Sequence, residues 1–155
     1  MTTASFVKGN GPLPRDARQV GFESDHTLLY TARASIGGGL HLGKWRVGWK
    51  AASIPFGGKE NWVADYEIWV GLRPSGGVWS PPDVTKNVAC GREASGAALY
   101  PARGWHGGGL HPGKWRADWT AAVISYGGVE VWLDKFEVLS PGMYFDGDDA
   151  FSWET

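Results

Sequence analysis

Hydrophobic and polar positions alternate along this chain in short runs that end at glycine or proline. In WRVGWKA, Trp45, Val47, Trp49 and Ala51 alternate with Arg46, Gly48 and Lys50. In WVADYEIWV, Trp62, Ala64, Tyr66 and Ile68 alternate with Val63, Asp65, Glu67 and Trp69, and the spacing returns at Trp132, Asp134, Phe136 and Val138. A period of two is the signature of a strand with one buried face. Leu28–Ala34 and Ala98–Gly104 are predicted to add a strand each. No long window keeps a 3.6-residue period, and glycine or proline interrupts nearly every one. The pattern predicts an all-β fold of short antiparallel strands joined by glycine-rich turns.

The same pattern is written twice. Sliding the sequence against itself by 70 residues aligns Gln19–Val70 with Ala89–Ser140 without a gap. Matches include Glu23 with Glu93, Tyr30 with Tyr100, Arg33 with Arg103, Gly37–His41 with Gly107–His111, Trp49 with Trp119, and Glu60 with Glu130. Two copies are too few for an open solenoid, so they are expected to pack as a pseudo-twofold pair in one compact unit. The expected organisation is an N-terminal segment 1–18, repeat 1 at 19–70, a Gly/Pro/Ser-rich connection at 71–88, repeat 2 at 89–140, and an acidic-aromatic tail at 141–155. Four aromatic residues in that tail (Tyr144, Phe145, Phe151 and Trp153) suggest an arm that packs on the body or on a second subunit.

Length and charge narrow the classes. With 155 residues, the chain is long enough to bury a core without disulfides or metal staples. Its single cysteine, Cys90, cannot form an internal disulfide and suits a reducing compartment. The opening MTTASFVKGNGPLP has no basic segment followed by an apolar one, and no run of about 18 apolar residues occurs. The expectation is a cytoplasmic protein, or one released without a secretory signal, with no transmembrane segment. A net charge of −1 with mixed signs argues against nucleic acid as partner. The 24 glycines imply many turns, and the 10 tryptophans are expected to fill the core first and, where exposed, to stack against flat or C–H-rich ligands.

The most specific repeated motif is GGGLHLGKW, Gly37–Trp45, which returns as GGGLHPGKW, Gly107–Trp115. Each copy fits G-x-x-x-x-G-K, the spacing of phosphate-binding loops. Such a loop needs a helix after it and Ser or Thr after the lysine. Here Trp45 and Trp115 follow the lysines, and strand-like alternation follows them, so the nucleotide reading fails. What remains is a glycine-rich connection that delivers a lysine to the start of a strand, twice. Lys44 kept its counterpart Lys114, whereas Lys59 faces Val129 and Lys50 faces Thr120.

At these residues the chain resembles the DM-nine repeat family. The first copy carries GFE at Gly21–Glu23, YTARA at Tyr30–Ala34, GGLHLGK at Gly38–Lys44, IPFGGKE at Ile54–Glu60 and YEIW at Tyr66–Trp69. The second carries GRE, YPARG, GGLHPGK, ISYGGVE and FEVL at the matching positions. The resemblance implies an all-β, pseudo-twofold, dimeric lectin that binds mannose-type glycans without cofactor or catalysis. It further implies that the acid of the opening motif and the turn lysine contact the sugar, which are Glu23, Lys44, Glu93 and Lys114 here. Leu42 stands where proline is usual in the turn, Arg92 where an aromatic precedes the acid, and Val129 where the GGKE lysine falls.

The residue chemistry agrees with a sugar. A carboxylate accepts hydroxyl hydrogens, an ammonium donates to hydroxyl or ring oxygens, and an aromatic wall covers a C–H face. Trp105, beside the second turn, is the candidate wall, with His41, His111, Glu60 and Glu130 as accessory positions. A metal centre would need three or four converging ligands, which the spacing of His41, His106 and His111 does not supply. DGDD at Asp146–Asp149 lacks the spacing of a calcium loop. A glycosidase needs two carboxylates flanking one bond. Duplication puts each acid in a different half, and Glu23, Glu60, Glu67 and their copies are expected to be structural, holding strand-end backbone or pairing with Arg33 and Arg103. Cys90 has no nucleophile partner, since its counterpart is Val20. The alternative to a lectin is a protein-interaction or membrane-recognition module that uses the tryptophan-rich surface.

Overall fold

The computed structural model describes residues 3–73 and 77–141. The tail aromatics and the Asp146–Asp149 run lie outside the described residues. The first half supplies β1 (Thr3–Lys8), β2 (Gln19–Phe22), β3 (Leu28–Ile36), β4 (Gly39–Trp45), β5 (Ala52–Phe56), β6 (Lys59–Val63) and β7 (Tyr66–Arg73). The second supplies β8 (Val78–Ser80), β9 (Gly91–Arg92), β10 (Ala98–His106), β11 (Gly109–Trp115), β12 (Ala122–Tyr126), β13 (Val129–Leu133) and β14 (Glu137–Ser140). The fold is all-β, as the alternation predicts, and every pairing is antiparallel.

The strand order is β1-β7-β3-β2-β11-β12-β13-β6-β5-β4-β9-β10-β14-β8, and it reads as the same repeat from either end. The pseudo-twofold axis passes between β13 and β6, where Val129 pairs with Lys59. Because β3 also pairs with β4, and β10 with β11, the sheet closes on itself into a barrel-like body. Each repeat lends a short strand to the other. Phe22 of β2 pairs with Leu110 of β11, and Arg92 of β9 pairs with Leu40 of β4.

Two predicted strands are corrected. WRVGWKA is not a strand, because β4 ends at Trp45 and the chain turns, with Trp49 N–H donating to Arg46 O at 3.1 Å. Gly48 takes φ 99°, and the Trp45 indole donates to Trp49 O at 2.8 Å, so the alternating tryptophans close a turn instead. WVADYEIWV is likewise two strands, β6 and β7, separated by a bend at Ala64–Asp65. The first pairs with β5 and the second with β3, so a common period of two runs through a corner. The connection at 71–88 also carries β8, which pairs with β14, and the N-terminal segment carries β1, which pairs with β7.

Each repeat keeps its own core. Tyr30, Ala32, Trp45, Ile54, Tyr66 and Ile68 cluster in the first, and Ala102, Trp115, Ala122 and Val138 in the second. Two further clusters join the halves: Val20 with Trp69 and Leu139, and Leu42 with Cys90 and Leu99. Fully burying an aliphatic side chain is worth about 1.5–3 kcal/mol, so these shared residues bind the repeats into one body. Arginines reinforce the joint. Arg33 donates to Glu67 at 2.7 Å and reaches across to Cys90 O at 3.0 Å, while Arg103 donates to Glu137 at 3.0 Å and to Val20 O at 2.9 Å. Phe6 of β1 lies under Arg33 and Trp79 of β8 under Arg103, so these two aromatics are structural counterparts. They stand 73 positions apart, off the 70-residue register, which hid the relation from sequence.

Candidate functional site

The glycine-rich motif builds a tight hairpin and then a strand. Gly37 and Gly38 take φ 61° and 84° and turn β3 into β4, and Gly107 and Gly108 do the same between β10 and β11. The next glycine is needed for space. A Cβ on Gly39 would stand 2.6 Å from Arg92 O and 2.8 Å from His41 Nε2, and one on Gly109 would stand 2.6 Å from Phe22 O and 2.9 Å from His111 Nε2. The other repeat's backbone and a histidine ring share that gap. Lys44 and Lys114 are therefore not turn lysines in solvent. They lie in mid-sheet, opposite Ser53 and Val123, and each is only 3% exposed.

Each lysine is met by the other repeat. Lys114 Nζ approaches His41 Nδ1 at 2.7 Å and donates to Pro55 O, and Lys44 Nζ approaches His111 Nδ1 at 2.9 Å. An ammonium only donates, so Nδ1 accepts and the hydrogen of each neutral imidazole sits on Nε2. Aromatic rings from the same strands as Pro55 and its counterpart Ser125 complete the seats. Phe56 lies 5.7 Å from Lys114 Nζ and Tyr126 lies 5.5 Å from Lys44 Nζ. The rings also stand edge-on to the histidines, Phe56 at 4.8 Å from His41 and Tyr126 at 5.2 Å from His111.

The electrostatics follow from burial. Desolvation pushes Lys114 down to about 8, opposed by Glu130 and Glu93. It lowers Lys44 as well, opposed by Glu23 and Glu60. His41 falls to about 4 through desolvation first and the Lys114 charge second, with Glu93 pulling the other way. His111 also falls to about 4, through desolvation, Lys44 and then His106. The result is a neutral histidine under each cation.

Around Lys114 this arrangement opens into a cavity of about 130 Å³. Glu93, Glu130, Trp119 and Trp132 line it from the second repeat, and His41, Phe56 and Gly57 from the first. Glu93 is fixed by Arg116, which donates to its Oε2 at 2.9 Å, as Arg46 fixes Glu23 at 3.1 Å. The other oxygen, Glu93 Oε1, lies 3.7 Å from His41 Nε2. That buried nitrogen has no hydrogen-bond partner among the described residues. A buried donor left bare costs about 1–3 kcal/mol, and a ligand or water oxygen would relieve it.

The structure thus brings Glu93, Lys114, His41 and Glu130 to one cavity. Lys44 and His111 meet in the equivalent place, with Glu23 and Glu60 acting on the lysine charge. Glu60 is also structural, for it accepts from Ser53 Oγ at 2.6 Å and from Gly128 N–H at 2.9 Å. Trp105 is not among the residues lining the Lys114 cavity; its ring is 63% exposed and packs edge-on to Phe22 at 5.4 Å. Sequence reasoning missed Phe56, Tyr126, Arg46 and Arg116, as well as Trp119 and Trp132. Their signal was present, since each position keeps its residue class in both copies. Among the described residues no group of three or more His, Cys, Asp or Glu is placed to hold a metal ion.

The body is barrel-like and all-β, made of two repeats with one buried lysine seat in each. The chain belongs to the DM9 repeat family, whose model matches residues 2–63, 23–133 and 93–155. The fold is similar to the crystal structure of the nematode sperm cell motility protein MFP2B, with a TM-score of 0.71 at 20% identity. That likeness covers 92% of this chain and 48% of the MFP2B chain, so this chain spans about half of that protein's length. Among functionally curated proteins, none matches it in sequence. No helix in the described residues is long and apolar enough to cross a membrane.

Proposed function

We propose that the protein is a non-enzymatic lectin for mannose or mannose-type glycans, with one site per repeat, each completed by the other repeat. The observation that carries this reading is the Lys114 cavity. There a buried ammonium, two carboxylates and an unpartnered imidazole N–H converge on a space of about 130 Å³. Adjacent hydroxyls of one hexose ring would meet acceptors on Glu93 and Glu130 and donors on Lys114 and His41. The DM9 repeat is a carbohydrate-binding type of domain, and the choice of mannose rests on the family resemblance. The carboxylates lie beside a cation instead of flanking a bond, and one in each repeat, Glu93 and Glu23, is held by an arginine, which favours binding over hydrolysis. A homodimer would present four such sites and gain avidity toward glycan arrays.

Calorimetric titration with mannose tests this. The native chain is expected to bind two equivalents, Lys44→Ala and Lys114→Ala one each, and the double variant none. Absence of heat with mannose and a panel of other monosaccharides would sink the lectin reading. A protein-interaction module would then lead, on the ground that Trp105 and Phe22 form an aromatic patch outside the Lys114 cavity.

A further inference from the structure

We infer that each sugar seat opens onto a second subsite, floored by Trp132 in one case and Trp62 in the other. The ligand is then an oligosaccharide of at least two residues. This rests on the sugar-site reading above and extends it. Trp132 lines the Lys114 cavity and yet is 49% exposed, and its counterpart Trp62 is 53% exposed. Trp132, left half in water at the lip of a polar cavity, is a surface ready for an apolar face, and Trp62 is exposed at the matching position of the other repeat.

Both rings are held in a fixed attitude. Trp119 meets Trp132 edge-on at 5.0 Å and 76°, and Trp49 meets Trp62 at 4.8 Å and 80°. Trp119 is itself anchored, because its carbonyl accepts from the Trp115 indole at 2.9 Å. Its ring lies under Arg116, the residue that holds Glu93. One chain of contacts therefore sets the carboxylate and the exposed ring together. The same chain runs through Arg46, Trp49 and Glu23 in the other repeat.

Size points the same way. The cavity of about 130 Å³ is well below the roughly 300–1,000 Å³ of clefts that enclose larger ligands. One sugar ring fills it, and the next residue of a glycan must leave across the lip. There its C–H face meets an indole, the pairing that polar seats alone do not supply. Tryptophan stands at this position in both copies while neighbouring positions changed, Phe56 to Tyr126 and Lys59 to Val129.

The test titrates the full chain with mannose, α-linked mannobiose and mannotriose, reading heat and tryptophan fluorescence. The native chain is expected to bind mannobiose about tenfold more tightly than mannose, with a larger indole emission shift on the longer ligands. Trp62→Ala/Trp132→Ala should erase the tenfold preference for mannobiose over mannose, and the Trp→Phe pair should recover most of that preference. Mannose bound with no gain for mannobiose, or both ligands weakened equally in the alanine variant, would overturn the subsite and leave the lectin reading standing. No binding of any saccharide would overturn both.

Discussion

The ammonium of Lys114 in the second repeat meets Nδ1 of His41 in the first at 2.7 Å, while His41 Nε2 faces Glu93 at 3.7 Å with no hydrogen-bond partner among the described residues. The pair crosses the pseudo-twofold joint, so the site exists only when the two repeats are packed together. Lys44 and His111 repeat the contact from the other side at 2.9 Å. Folding, site assembly and protonation are thereby tied to one another.

The protonation link sets a pH dependence. His41 and His111 are neutral in the fold down to about 4, whereas an unfolded histidine takes a proton near 6.5. The unfolded chain therefore binds more protons between these values, and stability falls as pH drops from about 6.5 to 4. The loss should be about 2–3 kcal/mol per histidine. Denaturant midpoints at steps across this range check it, and His41→Asn/His111→Asn, which keeps an acceptor for each lysine, should flatten the slope.

Lysine gives a slope of the same sign at alkaline pH. Lys114 pays for its charge below about 8 and is relieved of that cost as pH rises toward 10.5. Stability should therefore rise across this window as sugar affinity at the Lys114 seat declines. Titrations at pH 7, 8.5 and 9.5 with the Lys44→Ala variant, which isolates that seat, would show it.

Removing one partner of the buried pair should cost more than removing both. His41→Leu removes the imidazole acceptor of the Lys114 ammonium, leaving Pro55 O as its hydrogen-bond partner, and should destabilise by about 1–3 kcal/mol. Adding Lys114→Met removes the ammonium and should recover much of that loss. A double-mutant cycle by chemical denaturation measures the difference, and simple additivity would contradict the coupling.

Two glycine substitutions should separate crowding from backbone strain. Gly39→Ala drives a methyl to 2.6 Å from Arg92 O and 2.8 Å from His41 Nε2, where the joint between repeats must open. Gly57→Ala has open space but sits at φ 63°, so it carries only the left-handed penalty of about 1 kcal/mol. The first should lower the thermal midpoint several-fold more than the second and should abolish sugar binding at the Lys114 seat.

Breaking the arginine staple should loosen the repeats without touching the sugar seats. Arg33→Met removes the bonds to Glu67 and Cys90 O and leaves Glu67 without its partner. A cost of about 2–3 kcal/mol is expected. Arg33→Lys should restore only part of it, because an ammonium does not reproduce the planar fork over Phe6.

Duplication and period-two alternation were readable in the sequence because both are local: they depend on which residue stands two positions on or 70 positions on. They were enough for the all-β class and the pseudo-twofold pair, while Glu93 and Lys114 were named through the resemblance to the DM-nine repeat family. Alternation misled where the chain turns a corner, as at Trp45–Trp49, since a period of two says nothing about whether the backbone stays straight. Tertiary structure alone decided that the turn lysines are buried in mid-sheet, that each is seated on the other repeat's histidine, and that Trp132 and not Trp105 borders the Lys114 cavity. These are contacts between residues 67 and 73 positions apart, Lys44 with His111 and His41 with Lys114. Only closure of the barrel brings such residues together, and the desolvation that sets their charges follows from that closure.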